Sequence, residues 1–210
     1  MRILTIIVVV FAGISSCKYP VFKSSWTKEK APAFFTARFE TSKGNFDLRI
    51  QRDFSPQSAD RFYQLVRHRY FNNILFYRVV PGFVAQFGNI DTTLTQQWEK
   101  YTLADEPVLQ SNIKGSISFA RAGKETRGTH LFINLADNKR LDTMQYNGVT
   151  GFPVFGHVVN GMENILMLYN GYSNSTMEVS DSLGADKKKI LSLFPKLDSV
   201  KKAYIIKAAK

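Results

Sequence analysis

Apolar residues alternate with polar ones in short blocks along most of the chain, a pattern that predicts β-strands. In the first block Phe39, Phe46, Leu48 and Ile50 flank the polar residues 42–45, whose composition suits a tight turn. This block predicts a β-hairpin. Further short apolar runs, bounded by polar or glycine-rich residues, predict strands over 74–80, 83–87, 115–120, 131–135 and 154–159. So many short strands indicate a barrel or a sandwich.

Helical spacing of apolar residues occurs in two places. Ser55 and Pro56 supply an N-cap followed by proline at the first helical position, and the apolar positions that follow predict a helix to about Tyr70. A second helix is predicted over 162–169, where Gly171 is placed to end it.

The first 17 residues have the features of an export signal. Arg2 precedes an apolar run of about ten to twelve residues, which is too short to cross a bilayer as a helix. Residues 14–17, Ile-Ser-Ser-Cys, resemble the bacterial lipobox, in which cleavage leaves the cysteine as a lipid-bearing N-terminus. We therefore expect lipidation at Cys17 and a location in the bacterial cell envelope, facing the periplasm or on the outer membrane. A plain cleaved signal, or a buried N-terminal strand with an incidental Cys17, remains an alternative.

Residues 18–33 mix lysine, serine and proline without an apolar period, which predicts a flexible tether before a domain over 34–210. Phe22 and Trp26 are then either isolated aromatic residues on a loose linker or contacts with the membrane interface.

Composition excludes several classes of site. The chain has 210 residues, a single cysteine and three histidines, so it has no intrachain disulfide, and a histidine-based zinc site is not expected. Its length allows a core that needs no metal to hold it. The formal net charge is +11, yet the export signal argues against nucleic acid as a partner.

One charged residue interrupts a predicted apolar face. Alternation within 74–80 places Arg78 in a row with Ile74, Phe76 and Val80. A guanidinium there needs a partner or a function, since burying an unpaired charge is costly. Nearby aromatic and aliphatic residues would supply an apolar floor, with one amide: Phe83, Gln86, Phe132, Leu141 and Phe152. The alternative is an arginine that reaches a carboxylate at the barrel rim.

Two blocks of sequence carry a family resemblance. Residues 76–89, FYRVVPGFVAQFGN, and the residues between 118 and 156, including SFARAG, GTHLFIN and FPVFG, resemble the signature of the cyclophilin-type peptidyl-prolyl isomerases. The resemblance covers about residues 35–172. It implies a mainly β fold, a closed eight-stranded antiparallel barrel capped by two α-helices, and a binding groove on its outer face.

Matched position by position, the resemblance implies a site of ten residues. Arg78 corresponds to the catalytic arginine, and the substrate-binding positions are Phe83, Val84, Gln86, Ala120, Arg121, His130, Phe132, Leu141 and Phe152. It also implies proline-containing polypeptides as substrates, no cofactor, no metal and a monomeric chain. Together with the export signal, it predicts an enzyme that assists the folding of exported proteins.

Several positions depart from the family signature: Tyr77, Phe87, Asn89, His130, Arg140 and Phe152. These departures leave open a catalytically weak module that binds proline-containing peptides, or a chaperone, on the same fold. A barrel that binds a small ligand in its interior, like a lipocalin, is a third hypothesis, but it would leave Arg78 unexplained.

The C-terminal part contains an insertion relative to the family. After Gly171 the barrel needs only one closing strand, for which 202–206 is the best candidate. Residues 183–210 hold eight lysines and two aspartates, a net of 8 − 2 = +6. This charge indicates either attraction to anionic lipids and acidic clients, or a solvated lysine-rich helix packed by its few apolar residues.

Overall fold

The computed structural model describes residues 21–88, 92–178 and 186–209. The export signal and Cys17 lie outside this range, as does Asn89. Eight antiparallel strands form a closed barrel in the order β1-β10-β3-β4-β6-β5-β9-β2, which confirms the predicted architecture. The strands are β1 Phe34–Thr41, β2 Gly44–Gln51, β3 Ile74–Val79, β4 Val84–Gly88, β5 Ser116–Phe119, β6 Leu131–Asn134, β9 Val154–Asn160 and β10 Ser199–Ala208, with a separate hairpin of β7 Gln145–Tyr146 and β8 Val149–Thr150.

Short helices lie at the ends of the barrel and in its connections. They are α1 Pro56–Arg67, α2 Thr92–Glu99, α3 Arg140–Thr143, α4 Met162–Leu166 and α5 Lys187–Leu193. The first begins where predicted but ends before Tyr70, because Arg69 takes a left-handed backbone conformation with φ of 59°. None of the helices in the described ranges is long and apolar enough to cross a membrane.

Aromatic side chains fill the barrel interior. Fully buried aromatic side chains of the core include Phe39, Phe46, Phe62, Phe76, Phe87, Phe119 and Phe155. Rings at neighbouring positions pack against each other, as in the pair Phe76 and Phe87, whose centroids are 5.2 Å apart. This packing contradicts a ligand site inside the barrel. It also explains the departure at Phe87, whose ring belongs to the core and not to the outer surface.

A β-bulge changes the face on which Arg78 lies. Leu75 pairs with Gly88, but Arg78 pairs with Gln86, so β3 carries one extra residue between these pairs. A bulge shifts the inward and outward alternation by one position. Phe76 and Val79 both point into the core, and Arg78 is partly exposed. The expected row of Ile74, Phe76, Arg78 and Val80 is therefore wrong at Arg78, which lies on the outer face.

The described part of the predicted tether is packed against the barrel. The Phe22 ring lies 5.1 Å from that of Trp98 on α2, and Trp26 stacks on His68 with a centroid separation of 3.9 Å. The expectation of a loose linker is thus wrong from Phe22 onward. The physical reason is the burial of two aromatic side chains against helices α1 and α2, the second of which the sequence pattern did not predict.

The predicted insertion includes helix α5, and the chain then leads into β10, which contains the predicted closing strand. Asp186 caps α5 by accepting a hydrogen bond from the Lys188 amide at 2.9 Å. Ile190 is buried, whereas Lys188 and Lys189 are exposed. The helix is thus anchored by an apolar residue and presents lysines to solvent.

Candidate functional site

An apolar cluster of side chains, which we call the pocket, lies on the outer face of the barrel beside strands β4 and β6. Val84, Phe132 and Leu141 form its buried part, since each is at most 5% exposed. Partly buried side chains surround them: Phe83, Ala120, Met144 and Phe152. The structure therefore brings six residues that the sequence placed in the site into one cluster. Met144, which follows α3, was not predicted.

Arg78 lies at the rim of this pocket. Its guanidinium carbon is 5.4 Å from the centre of the Phe83 ring, and its Nη1 donates a hydrogen bond to Gln86 Oε1 at 3.3 Å. Its Nε donates to Asn174 Oδ1 at 2.7 Å. The two acceptors are neutral amides, which hold the guanidinium without neutralising its charge. Partial burial lowers the pKa of Arg78, but an arginine side chain remains protonated in proteins.

Within the described part of the chain, Arg78 forms no ion pair with a carboxylate. This finding contradicts, for those residues, the alternative of an arginine reaching a carboxylate at the rim. A second guanidinium, that of Arg140 on α3, lies 4.7 Å from the centre of the Phe83 ring. The Phe83 side of the pocket is therefore electropositive.

Two of the departures from the family signature contact each other. The Tyr77 hydroxyl shares a hydrogen bond of 3.0 Å with His130 Nδ1. Gly88 leaves room for the imidazole, because a Cβ at that position would lie 2.5 Å from the same nitrogen. Desolvation lowers the pKa of His130, which favours the neutral ring. His130 contributes a hydrogen bond to Tyr77 at the Gly88 end of β4.

The structure places Arg121 differently from its predicted position in the groove. Its side chain is fully buried, pairs with Asp105 at 3.2 Å and lies 5.0 Å from the centre of the Phe152 ring. A peptide on the surface has no direct access to this guanidinium. Arg121 instead supports Phe152 from the protein side, which corrects the expectation of a substrate contact. Ala120 remains partly exposed beside the pocket.

A buried amide network holds the pocket walls together. Asn138 Nδ2 donates to the Phe83 carbonyl at 2.8 Å, and Asn112 Nδ2 donates to the Phe152 carbonyl at 2.9 Å. Asn134 joins the two, since it donates to Asn112 at 3.1 Å and accepts from Asn138 at 2.8 Å. A fully satisfied buried network of this kind fixes the geometry of the groups it connects.

Sequence reasoning missed Asn112, Asn138 and Asn174. They lie outside the strands that carry the signature, and an isolated asparagine is an ordinary loop residue. The sequence offers one signal for Asn138. It lies four positions after Asn134, which is the last residue of the GTHLFIN segment of the family resemblance.

Comparison with known proteins gives the family. Residues 36–187 match the family of the cyclophilin-type peptidyl-prolyl cis-trans isomerases. Peptidyl-prolyl cis-trans isomerase A of Dickeya dadantii is 35% identical over 131 residues, which span 59% of this chain and 65% of that protein, just under two thirds. The peptidyl-prolyl cis-trans isomerase of Acinetobacter baylyi is 28% identical over 156 residues, or 73% of this chain and 81% of that protein.

Solved structures agree on the fold. A cyclophilin-type isomerase of Cryptosporidium parvum superposes with a TM-score of 0.56 at 20% identity, covering 84% of this chain and 99% of that one. The same protein in the presence of the dipeptide Ala-Pro gives a TM-score of 0.55 and covers 82% of this chain. The family match over most of the chain, and the barrel with its outer pocket and arginine, lead to one conclusion: this chain belongs to the cyclophilin-type peptidyl-prolyl cis-trans isomerase family.

Proposed function

We propose that the protein is an active peptidyl-prolyl cis-trans isomerase and that Arg78 stabilises the twisted prolyl amide. The observation that carries this proposal is the charged Arg78 guanidinium at the rim of the apolar pocket, held by neutral amides. Support for the substrate class comes from the Cryptosporidium parvum relative, which was solved in the presence of Ala-Pro. Among the described residues, Arg78 donates hydrogen bonds only from Nε and Nη1. The N–H groups of Nη2 are therefore available to a substrate.

The chemistry requires little from the enzyme because no covalent bond is made or broken. Amide resonance gives rotation about the peptide bond a barrier of ~18–20 kcal/mol, so an uncatalysed proline bond isomerises over ~10–100 s. In the twisted transition state the prolyl nitrogen regains its lone pair. A fixed cationic donor aimed at that nitrogen binds the transition state more tightly than the planar ground state, and this difference is what accelerates the reaction.

In the proposed reaction the apolar pocket binds the proline ring. Phe83, Phe132, Leu141 and Phe152 belong to the apolar cluster beside Arg78. A pocket that excludes water lowers the local dielectric constant and strengthens the interaction between guanidinium and nitrogen. Gln86 accepts from Arg78 Nη1, and its side chain also hydrogen-bonds the Tyr77 hydroxyl, so its amide is held beside the guanidinium.

The direct test is the isomerisation rate of an Ala-Pro peptide in the presence of the purified protein. We expect an acceleration that is linear in enzyme concentration, and a barrier lowered by ~7 kcal/mol would correspond to about five decades. The rival hypothesis, a binding module without turnover, predicts NMR shifts at the pocket on peptide titration and no change in rate. That result would refute the catalytic proposal and favour the rival.

We also propose that the enzyme is a monomer anchored in the bacterial cell envelope, where it assists the folding of exported proteins with proline-containing segments. The lipobox-like residues 14–17 support this location. Phe22 packs on Trp98, so only residues 18–21 separate Cys17 from the packed part of the chain. At no more than ~3.6 Å per residue, a lipid on Cys17 would keep the barrel close to the bilayer.

Replacing Cys17 by serine tests the anchor. Acyl chains contribute ~0.8 kcal/mol per buried CH₂, so their loss should release the protein from the membrane fraction of the producing bacterium. The measurement is immunoblotting of membrane and soluble fractions, with Ser16→Ala as the matched control that keeps the cysteine. Retention of the Cys17→Ser protein in the membrane fraction would exclude lipidation as the anchor.

A further inference from the structure

The segment that follows α4 packs against the catalytic strand. β10 pairs with β3 at Ile74 and Leu75, and the Phe76 amide donates to the Asp198 carbonyl at 2.9 Å, so the edge of β3 beyond Phe76 faces a different segment. The Thr176 hydroxyl donates a hydrogen bond to the Tyr77 carbonyl there. Thr176 is 4% exposed, so the segment is packed against β3 at this residue. The segment therefore contacts the residue next to Arg78.

Asn174, two residues before Thr176, contacts the guanidinium itself. Its Oδ1 accepts from Arg78 Nε at 2.7 Å, the shorter of the two hydrogen bonds that the described residues make to this guanidinium. Gln86 accepts from Nη1 on the other strand, β4. Two acceptors on two different nitrogens fix both the position and the rotation of a planar guanidinium. With one acceptor removed, the plane can turn about the remaining bond.

We propose that Asn174 is a positioning residue of the isomerase site, so that residues 172–178 of the segment after α4 take part in catalysis. This inference rests on the proposed function of Arg78. The amide is suited to the role because it is neutral: a carboxylate at the same distance would form an ion pair and compete with the prolyl nitrogen for the positive charge. A charged donor lowers the barrier most when it already points at the position of the prolyl nitrogen before the amide twists.

The experiment compares Asn174→Ala with Asn170→Ala in the full chain, using the Ala-Pro peptide. Asn170 is an exposed asparagine of the same segment, so its replacement removes an equal amide without touching Arg78. A hydrogen bond to a charged group is lost only in Asn174→Ala, and we expect kcat to fall about tenfold. KM should stay within about twofold, because the proline pocket is unchanged.

A spectroscopic readout reports the positioning directly. The Arg78 Nε–H resonance should be sharp and slow to exchange in the wild-type protein and in Asn170→Ala. In Asn174→Ala it should shift and broaden, with an unchanged melting temperature. A merely structural contact would lower the melting temperature and leave the kcat of the folded protein intact.

The outcomes separate the inference from the proposed function. An active wild-type protein with unchanged kcat in Asn174→Ala would overturn the role of Asn174 and leave Arg78 as the catalytic residue. The role of Asn174 is likewise overturned if KM rises at constant kcat, or if both asparagine variants lose activity equally. A wild-type protein without isomerase activity would overturn the proposed function, and the inference with it.

Discussion

Replacing Arg78 by alanine is expected to lower kcat/KM for an Ala-Pro peptide by about two to three orders of magnitude. Removing one preorganised donor from a site where charge develops costs ~10²–10³ in rate. Arg78 is the group at the pocket rim that combines a permanent charge with neutral partners, Gln86 and Asn174. Arg78→Lys should recover only part of the activity, because an ammonium cannot be held by two acceptors as a planar fork.

The control for this prediction is Arg49→Ala. Arg49 is an exposed arginine of β2 whose guanidinium carbon lies 5.6 Å from the centre of the Phe34 ring. Its replacement removes the same charge and a similar aromatic contact away from the pocket, so activity should stay at the wild-type level. Circular dichroism should be unchanged in both proteins. Equal activities of Arg78→Ala and the wild type would remove the arginine from the mechanism.

The largest effect on stability is expected from Arg127→Ala, which should lower the free energy of unfolding by ~3–5 kcal/mol. Arg127 is 0% exposed, and its Nη1 donates to Ser58 Oγ at 2.7 Å and to Glu106 Oε2 at 3.1 Å. Glu106 in turn accepts from the Gln57 amide at 2.8 Å at the start of α1. Without the guanidinium, the largely buried carboxylate of Glu106 loses its positively charged partner. It remains hydrogen-bonded to the first turn of α1.

Urea unfolding followed by circular dichroism measures this effect, and Arg67→Ala provides the contrast. Arg67 pairs with Glu29 at 3.2 Å, with side chains 49% and 26% exposed. An exposed pair contributes less than ~1 kcal/mol, so this variant should unfold almost as the wild type does. Similar losses of stability in the two variants would show that burial does not set the contribution of Arg127.

The apolar pocket was the most predictable part of the candidate site. Phe83, Val84, Phe132, Leu141 and Phe152 were all expected, and they form one cluster. Prediction succeeded because the family resemblance assigns these positions, and because Val84 and Phe132 lie in strands that the apolar runs also predict. The local pattern that makes these strands also fixes which side chains share their outer face.

Other features depended on contacts that no local pattern encodes. Arg121 looked like a groove residue, yet Asp105 draws its guanidinium into the protein. Phe22 and Trp26 were predicted to be linker residues, but their rings pack against those of Trp98 and His68. In each case the partner lies far away in sequence, and the free energy gained by burial or pairing exists only once the chain has folded.

The sequence by itself determined the barrel, the hairpin at its start, the residues of the pocket and the family. The strands and the hairpin follow from periodicity, which a short window of sequence contains, and the barrel, the pocket and the family follow from the resemblance of residues 76–89 and of the segments between 118 and 156. Only the tertiary structure decided that Arg78 lies on the outer face of the barrel, because this depends on the bulge in β3. It also decided that Arg78 is hydrogen-bonded to Asn174, which is 96 residues away. A single extra residue reverses the face of every position after it, and a hydrogen bond between distant residues forms only when the fold brings them together.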